Sequence, residues 1–224
     1  MPDCLSCVER ESGPNPQHAV IWLHGLGADG HDFEPIVPQL LRPEWPALRF
    51  VFPHATVRPI TLNGGLPMRA WYDIAGFDLA QKQDAAGIRT SIAHVDALIA
   101  REVERGVPVG NVVLVGFSQG GAIALAAGLR HTQKLSAFVA LSTYLPIAEQ
   151  TASERHAANA ATPVFMGHGA FDPVVPQVLG ERSRDQLREW GYAVDWHSYP
   201  MAHQVCPQEI GDLAAFLTAR FNNP

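Results

Sequence analysis

Residues 111–128 read NVVLVGFSQGGAIALAAG. An apolar run enters the pentad Gly116-Phe117-Ser118-Gln119-Gly120, and a helix-forming stretch leaves it. The pattern G-x-S-x-G has low specificity alone. Between a strand and a helix it describes a nucleophile elbow, a sharp turn that stands a serine Oγ free above a sheet. Positions two before and two after the serine must lack side chains, because strand and helix backbones crowd them. Gly121 and Ala122 then let the helix lie close to the sheet. The helix N-terminus adds partial positive charge beneath Ser118, which favours an anion there.

Working outward, other short apolar runs recur: AVIWLH (19–24), LRFVFP (48–53), AFVALS (137–142), PVFMGH (163–168) and VDWHSY (194–199). Most are continuously hydrophobic, as strands must be when helices cover both faces of a parallel sheet. Between them the period changes. Ile88, Ile92, Val95, Ile99 and Val103 fall three or four apart, which predicts a helix over 84–105 with Gly106 at its C-terminal cap. A last helix is predicted after Pro207, with Glu209 and Asp212 in its first turns and Arg220 in its last, an arrangement that suits the dipole. Strands alternating with helices imply a single α/β domain over 1–224, with a mostly parallel central sheet and helices on both faces. Residues 54–83 break the rhythm; with Trp71, Tyr72 and Phe77 inside it, this long connection reads as a lid or pocket wall.

Composition narrows the class. The 224 residues are 47% apolar and 17% charged with a net charge of −6, as in a globular protein with ample core. The sixteen basic residues are scattered, which argues against a nucleic-acid partner. The start, MPDCLSCVER, lacks the cationic and apolar regions of a secretory signal, and no apolar run approaches the ~20 residues of a membrane span. The expectation is a cytoplasmic protein without integral membrane association. Three cysteines suit a reducing compartment. Cys4 and Cys7 form a C-x-x-C, but at the start of the chain, in an edge strand, they read as small hydrophobes and not as a redox pair.

A serine hydroxyl needs a base, and the base an orienting carboxylate. With an elbow serine the expected chain order is Ser, then Asp or Glu, then His, each in a loop at a strand's carboxyl end. Asp172 follows the run 163–168 in GHGAFDPVVP, and His203 follows 194–199 in PMAHQVCPQE. Asp195 and His197 lie within a strand; Asp185, Glu189 and His94 lie on helices; His24 and His168 end strands in the wrong order. Ser142 follows a strand, but Leu141 and Thr143 deny it a glycine-flanked turn. Ser118, Asp172 and His203 are therefore the candidate triad. No H-E-x-x-H or closely spaced ligand set points to a metal.

The stretch AVIWLHGLGADGHD (19–32) contains Gly25, Gly27 and Gly30 in the G-x-G-x-x-G spacing of a dinucleotide site. That reading demands an acidic residue about twenty positions on, at the end of the next strand. LRFVFPHA ends instead in Pro53 and His54, with Glu44 too early and Asp73 too late. An oxyanion hole demands only a backbone N–H from this loop opposite the amide that follows the nucleophile. The expected donors are the amides of Leu26 and Gln119. This leaves an oxidoreductase, or a binding protein without catalysis, as the weaker readings.

Together LHGLGADG, WYDI, GFSQGGA, LSTYLP, HGAFDPVVP and MAHQVCPQE, spanning about residues 17–217, resemble the bacterial carboxylesterase and acyl-protein thioesterase (lysophospholipase-like) family of α/β hydrolases. The resemblance implies that fold, a serine hydrolase using Ser118, Asp172 and His203 with the oxyanion at Leu26 and Gln119, no cofactor, ester or thioester substrates with single acyl chains, sometimes on proteins, and often a homodimer. It also implies an apolar acyl groove, for which Leu66, Trp71, Ile74, Leu145 and Val175 are candidates. Ala170 departs from the polar or acidic residue that relatives often carry two places before the triad aspartate.

Overall fold

The apolar runs become the interior of one sheet. The computed structural model describes residues 4–76 and 83–221. Its strands are β1 (Cys7–Glu11), β2 (His18–Leu23), β3 (Leu48–Pro53), β4 (Val57–Ile60), β5 (Leu66–Arg69), β6 (Val112–Phe117), β7 (Ala137–Leu141), β8 (Val164–Gly169) and β9 (Val194–Tyr199). Seven of them form a sheet in the order β1-β3-β2-β6-β7-β8-β9, parallel except for β1, which runs antiparallel to β3. The helices are α1 (Val37–Leu40), α2 (Ala85–Glu104), α3 (Gln119–Arg130), α4 (Ala148–Glu154), α5 (Gln177–Glu189) and α6 (Pro207–Phe221). Among the described residues no helix is long and apolar enough to cross a membrane.

Alternate strand residues feed two cores. Ala19, Ile21 and Leu23 pack with Ile88 and Val95 of α2 and Ala122 to Ala127 of α3 on one face. Val20 and Trp22 pack with Val37 and Leu40 of α1 and Leu213 and Leu217 of α6 on the other. Strand β6, central in the sheet and covered on both sides, therefore delivers the elbow from within the core. Asp84 caps α2 by accepting the Gly87 N–H at 2.8 Å, and Gly106, at φ +96°, closes the helix where the periodic stripe ends. Buried Glu102 ties α2 to the sheet edge through Arg49, at 2.8 Å.

The segment 54–83 holds more regular structure than its sequence announces. Strands β4 and β5 form an antiparallel hairpin in which Pro59 faces Pro67. Its residues are largely exposed, so no hydrophobic period marks it. Phe77 lies outside the described residues. Cys7 opens β1, and burial pushes its thiol up to about 11, which makes it a poor nucleophile.

The approach of α3 to β2 sets a tight limit. A Cβ on Gly120 would overlap the carbonyl oxygens of Leu23 and His24, whereas one on Gly110 would meet nothing within 4 Å. Gly120→Val should therefore cost about 1–3 kcal/mol, as overpacked sites do, while Gly110→Ala stays within about 0.5 kcal/mol of wild type; urea unfolding measures both.

Candidate active site

The site is assembled at the carboxyl end of the sheet. Ser118, between β6 and α3, has φ +54° and ψ −122°. This left-handed turn exists because Gly116 and Gly120 touch backbone to backbone, where a Cβ on Gly116 would overlap the Gly120 carbonyl. The Ser118 N–H donates to the Leu141 carbonyl at 2.9 Å, and the Thr143 hydroxyl donates to the Ser118 carbonyl at 2.6 Å. Both anchors lie on or just beyond β7, so the strained turn is held from the neighbouring strand.

Asp172 and His203 come from the loops after β8 and β9. His203 Nε2 lies 2.9 Å from Ser118 Oγ, and His203 Nδ1 lies 2.7 Å from Asp172 Oδ2. Because the carboxylate can only accept, Nδ1 carries the proton and Nε2 is left to accept from the serine hydroxyl. The Asp172 carboxylate is buried, and its other oxygen accepts the N–H groups of Val174 and Val175 at 2.8 and 2.9 Å. His168 Nε2 donates to the Val175 carbonyl at 2.8 Å and stands 3.6 Å from Asp172 Oδ2. The aspartate is thus fixed by its own loop before it meets the imidazole.

Leu26 lies in the loop after β2. Gly27 takes φ +78°, and its N–H donates to the Arg69 carbonyl at 2.9 Å. Gly25 runs beside the elbow, where an added Cβ would sit 3.6 Å from Ser118 Cβ. The Leu26 amide has no backbone acceptor among the described residues. The Gln119 amide is the first of α3 and so lacks an intrahelical acceptor. His24 secures the loop as a neutral imidazole: Nδ1–H donates to Gly25 O at 2.7 Å and Nε2 accepts from Ala55 N–H at 3.1 Å. Burial holds its pKa below the ordinary histidine value, consistent with that tautomer.

The proposed groove residues scatter. Trp71 is buried in the core and its indole N–H donates to the His24 carbonyl at 2.9 Å, so it braces the loop after β2 instead of offering its face to a ligand. Val175 is buried, with both main-chain groups engaged around Asp172. Leu66 is exposed on the hairpin and Ile74 packs against the core. Leu145 lines a cavity of about 460 Å³ with Tyr144, Ile147, Leu179 and Ser183. Ala170 is exposed, its N–H donating to Tyr199 O at 2.8 Å. Ser142 also has a positive φ, +46°, without flanking glycines; its buried hydroxyl has no partner, so missing neighbours and not the backbone angle set it apart from Ser118.

A fold of this type with a strand-to-helix serine elbow defines an α/β hydrolase. The chain belongs to the phospholipase/carboxylesterase family, whose model matches residues 6–220, and is a serine hydrolase of carboxylic esters or thioesters. It is 42% identical to acyl-protein thioesterase 1 of Neurospora crassa over 90% of this chain and 86% of that one. It is 39% identical to acyl-protein thioesterase 1 of Cryptococcus neoformans over 88% and 90%. Arabidopsis thaliana SOBER1 superposes with a TM-score of 0.86 at 29% identity, covering 91% of this chain and 98% of that one.

One residue near the site differs from its sequence reading. Glu209, expected to place a negative charge in the first turn of α6, is fully buried with neither oxygen hydrogen-bonded. It fills the space over Gly167, where a Cβ would overlap its Oε1. Burial pushes its carboxyl up to about 8; the nearby Cys206 amide opposes this weakly, short of hydrogen-bond geometry. The group is mostly protonated at neutral pH and gives the helix dipole little. The folded state therefore binds more protons at this site than the unfolded state between roughly pH 4.5 and 8, and its contribution to stability weakens as pH rises. Glu209→Gln, neutral at every pH, should gain stability relative to wild type as pH goes from about 5 to about 8 in urea unfolding. A difference independent of pH would show an ionised carboxyl in the fold.

Proposed function

We propose that Ser118, His203 and Asp172 are the catalytic residues and that they transfer an acyl group from an ester or thioester to water. The observation that carries this reading is the unbroken chain Asp172–His203–Ser118, at 2.7 and 2.9 Å. His203 Nε2 takes the hydroxyl proton as Ser118 Oγ attacks the carbonyl carbon. Asp172 keeps the imidazole in the required tautomer and stabilises the imidazolium. The Leu26 and Gln119 amides hold the tetrahedral oxyanion, each worth about 2.7–4 kcal/mol in sites of this kind. The imidazolium then protonates the departing alkoxide or thiolate. Water, deprotonated by the same histidine, attacks the acyl-enzyme and releases the acid.

For substrates we favour single acyl chains of short to long reach, on small alcohols or thiols or on a protein, since the named relatives are acyl-protein thioesterases. For the acyl groove we keep Leu66, Ile74, Leu145 and Val175 as candidates, of which Leu145 is supported by the cavity of about 460 Å³ that it lines. A cytoplasmic homodimer completes the reading.

Ser118→Ala should lower kcat for p-nitrophenyl butyrate by about 10⁶-fold and Asp172→Asn by about 10⁴-fold, with unchanged melting. A fluorophosphonate should modify Ser118 alone in wild type, read by peptide mass spectrometry. Full activity in Ser118→Ala would refute the assignment. Rates across nitrophenyl esters from acetate to palmitate, set against a palmitoyl thioester and lysophosphatidylcholine, would then fix chain length and leaving group.

A further inference from the structure

The Gln119 side chain is buried, and its polar atoms are engaged by residues 71 and 72. Its carboxamide is used twice on one short segment: Oε1 accepts the Trp71 N–H at 2.8 Å and Nε2 donates to the Tyr72 carbonyl at 2.7 Å. The same segment reaches the other half of the site. The Arg69 carbonyl accepts the Gly27 N–H at 2.9 Å, and the Trp71 indole N–H donates to the His24 carbonyl at 2.9 Å. His24 and Gly27 bracket Leu26. Residues 69–72 are held in turn by Ser91, whose hydroxyl donates to the Trp71 carbonyl, and by the Tyr72–Tyr144 hydroxyl pair at 2.8 Å.

Two donors that belong to different loops are thereby referenced to one four-residue strip. A glutamine in the first turn of a helix has no local need for this arrangement, since its side chain could remain in water. Every polar atom of the carboxamide and the indole has a partner, so the strip is over-determined and stiff. Oxyanion stabilisation depends on donors already in place when charge develops, and a misplacement of about 1 Å can cost about 10²-fold in rate.

We propose that the Gln119 carboxamide and the Trp71 indole are positioning residues that set the spacing of the Leu26 and Gln119 amides through residues 69–72. This rests on the oxyanion assignment above. Neither side chain contacts the reacting atoms. Their contribution falls on the acylation transition state, where the oxyanion is formed, and leaves the proton affinity of His203 alone.

The test uses Gln119→Met, of similar length but without the amide, and Trp71→Phe, which keeps a ring but loses the indole N–H. Active sites are counted by fluorophosphonate titration and kcat for p-nitrophenyl butyrate is expressed per titrated site. The expected result is kcat per site lower by about 10- to 100-fold in each variant, a part of the 10²–10³-fold effect of a lost donor, with KM within about threefold and an unshifted pH profile. The double variant should lose less than the product of the single losses, because both act on one strip. A folded Gln119→Met with kcat per site within about twofold of wild type would overturn the proposal, as would a loss confined to KM or to the titrated fraction. Should that variant not fold, Gln119→Glu, which keeps the acceptor and loses the donor to Tyr72, decides by the same thresholds. An inert wild type with Ser118 unlabelled would sink the hydrolase reading instead; an active wild type with unaffected variants sinks only this one.

Discussion

The site depends on a backbone passing against backbones. Between β6 and α3 the chain must turn within the space left by the Leu23 and His24 carbonyls on one side and the Gly116–Gly120 contact on the other. Only then does Ser118 occupy a positive φ, a conformation that costs a non-glycine residue about 1–3 kcal/mol and survives where the surroundings over-determine it. Here they do: the Ser118 N–H is anchored to the last residue of β7 and its C=O to Thr143 just beyond, and α3 is buried along nearly its whole length. Thr143 closes the turn from behind, with its side chain against Gly121. The hydroxyl is presented by a frame that cannot relax.

Burial then decides the charge states around that frame. Asp172 is out of water yet accepts two N–H groups and the imidazole, the condition under which a buried carboxylate is tolerated. Burial likewise lowers the pKa of His24 and of His168, which therefore stay neutral and act as fixed donor–acceptor elements behind the two sides of the site. Glu209 shows the complementary outcome: with no partner, it keeps its proton. These imidazoles thus differ in role because their partners differ, and His203 is the one whose Nε2 lies 2.9 Å from the Ser118 hydroxyl.

The main strands were legible because both their faces are covered, which makes their sequences continuously apolar. Helix α2 was legible from its stripe and from Asp84 and Gly106 at its ends. The hairpin β4–β5 was not, since a two-stranded ribbon with little buried surface leaves no periodic trace, and the prolines at 59 and 67 argue against strand. Ser118 could be singled out because glycine at 116 and 120 is a steric necessity with a sequence signature; Asp172 and His203 because loop position after a strand constrains a side chain's reach. The groove candidates rest on the family resemblance, which implies an apolar groove, and apolarity alone does not tell a pocket wall from a core. Trp71 illustrates the difference: its indole and its main chain are all engaged in holding other loops. The Gln119 carboxamide carried no signal, since nothing local in the sequence says that residues 48 positions apart will meet.

The most direct measurement is a crystal structure of the protein after reaction with a small alkyl fluorophosphonate, whose phosphonyl oxygen stands where the oxyanion would form. The account predicts phosphorus bonded to Ser118 Oγ, the phosphonyl oxygen about 2.7–3.1 Å from both the Leu26 and Gln119 nitrogens, and His203 still bridging towards Asp172. Phosphorus on another side chain, or that oxygen turned to solvent away from both amides, would contradict it.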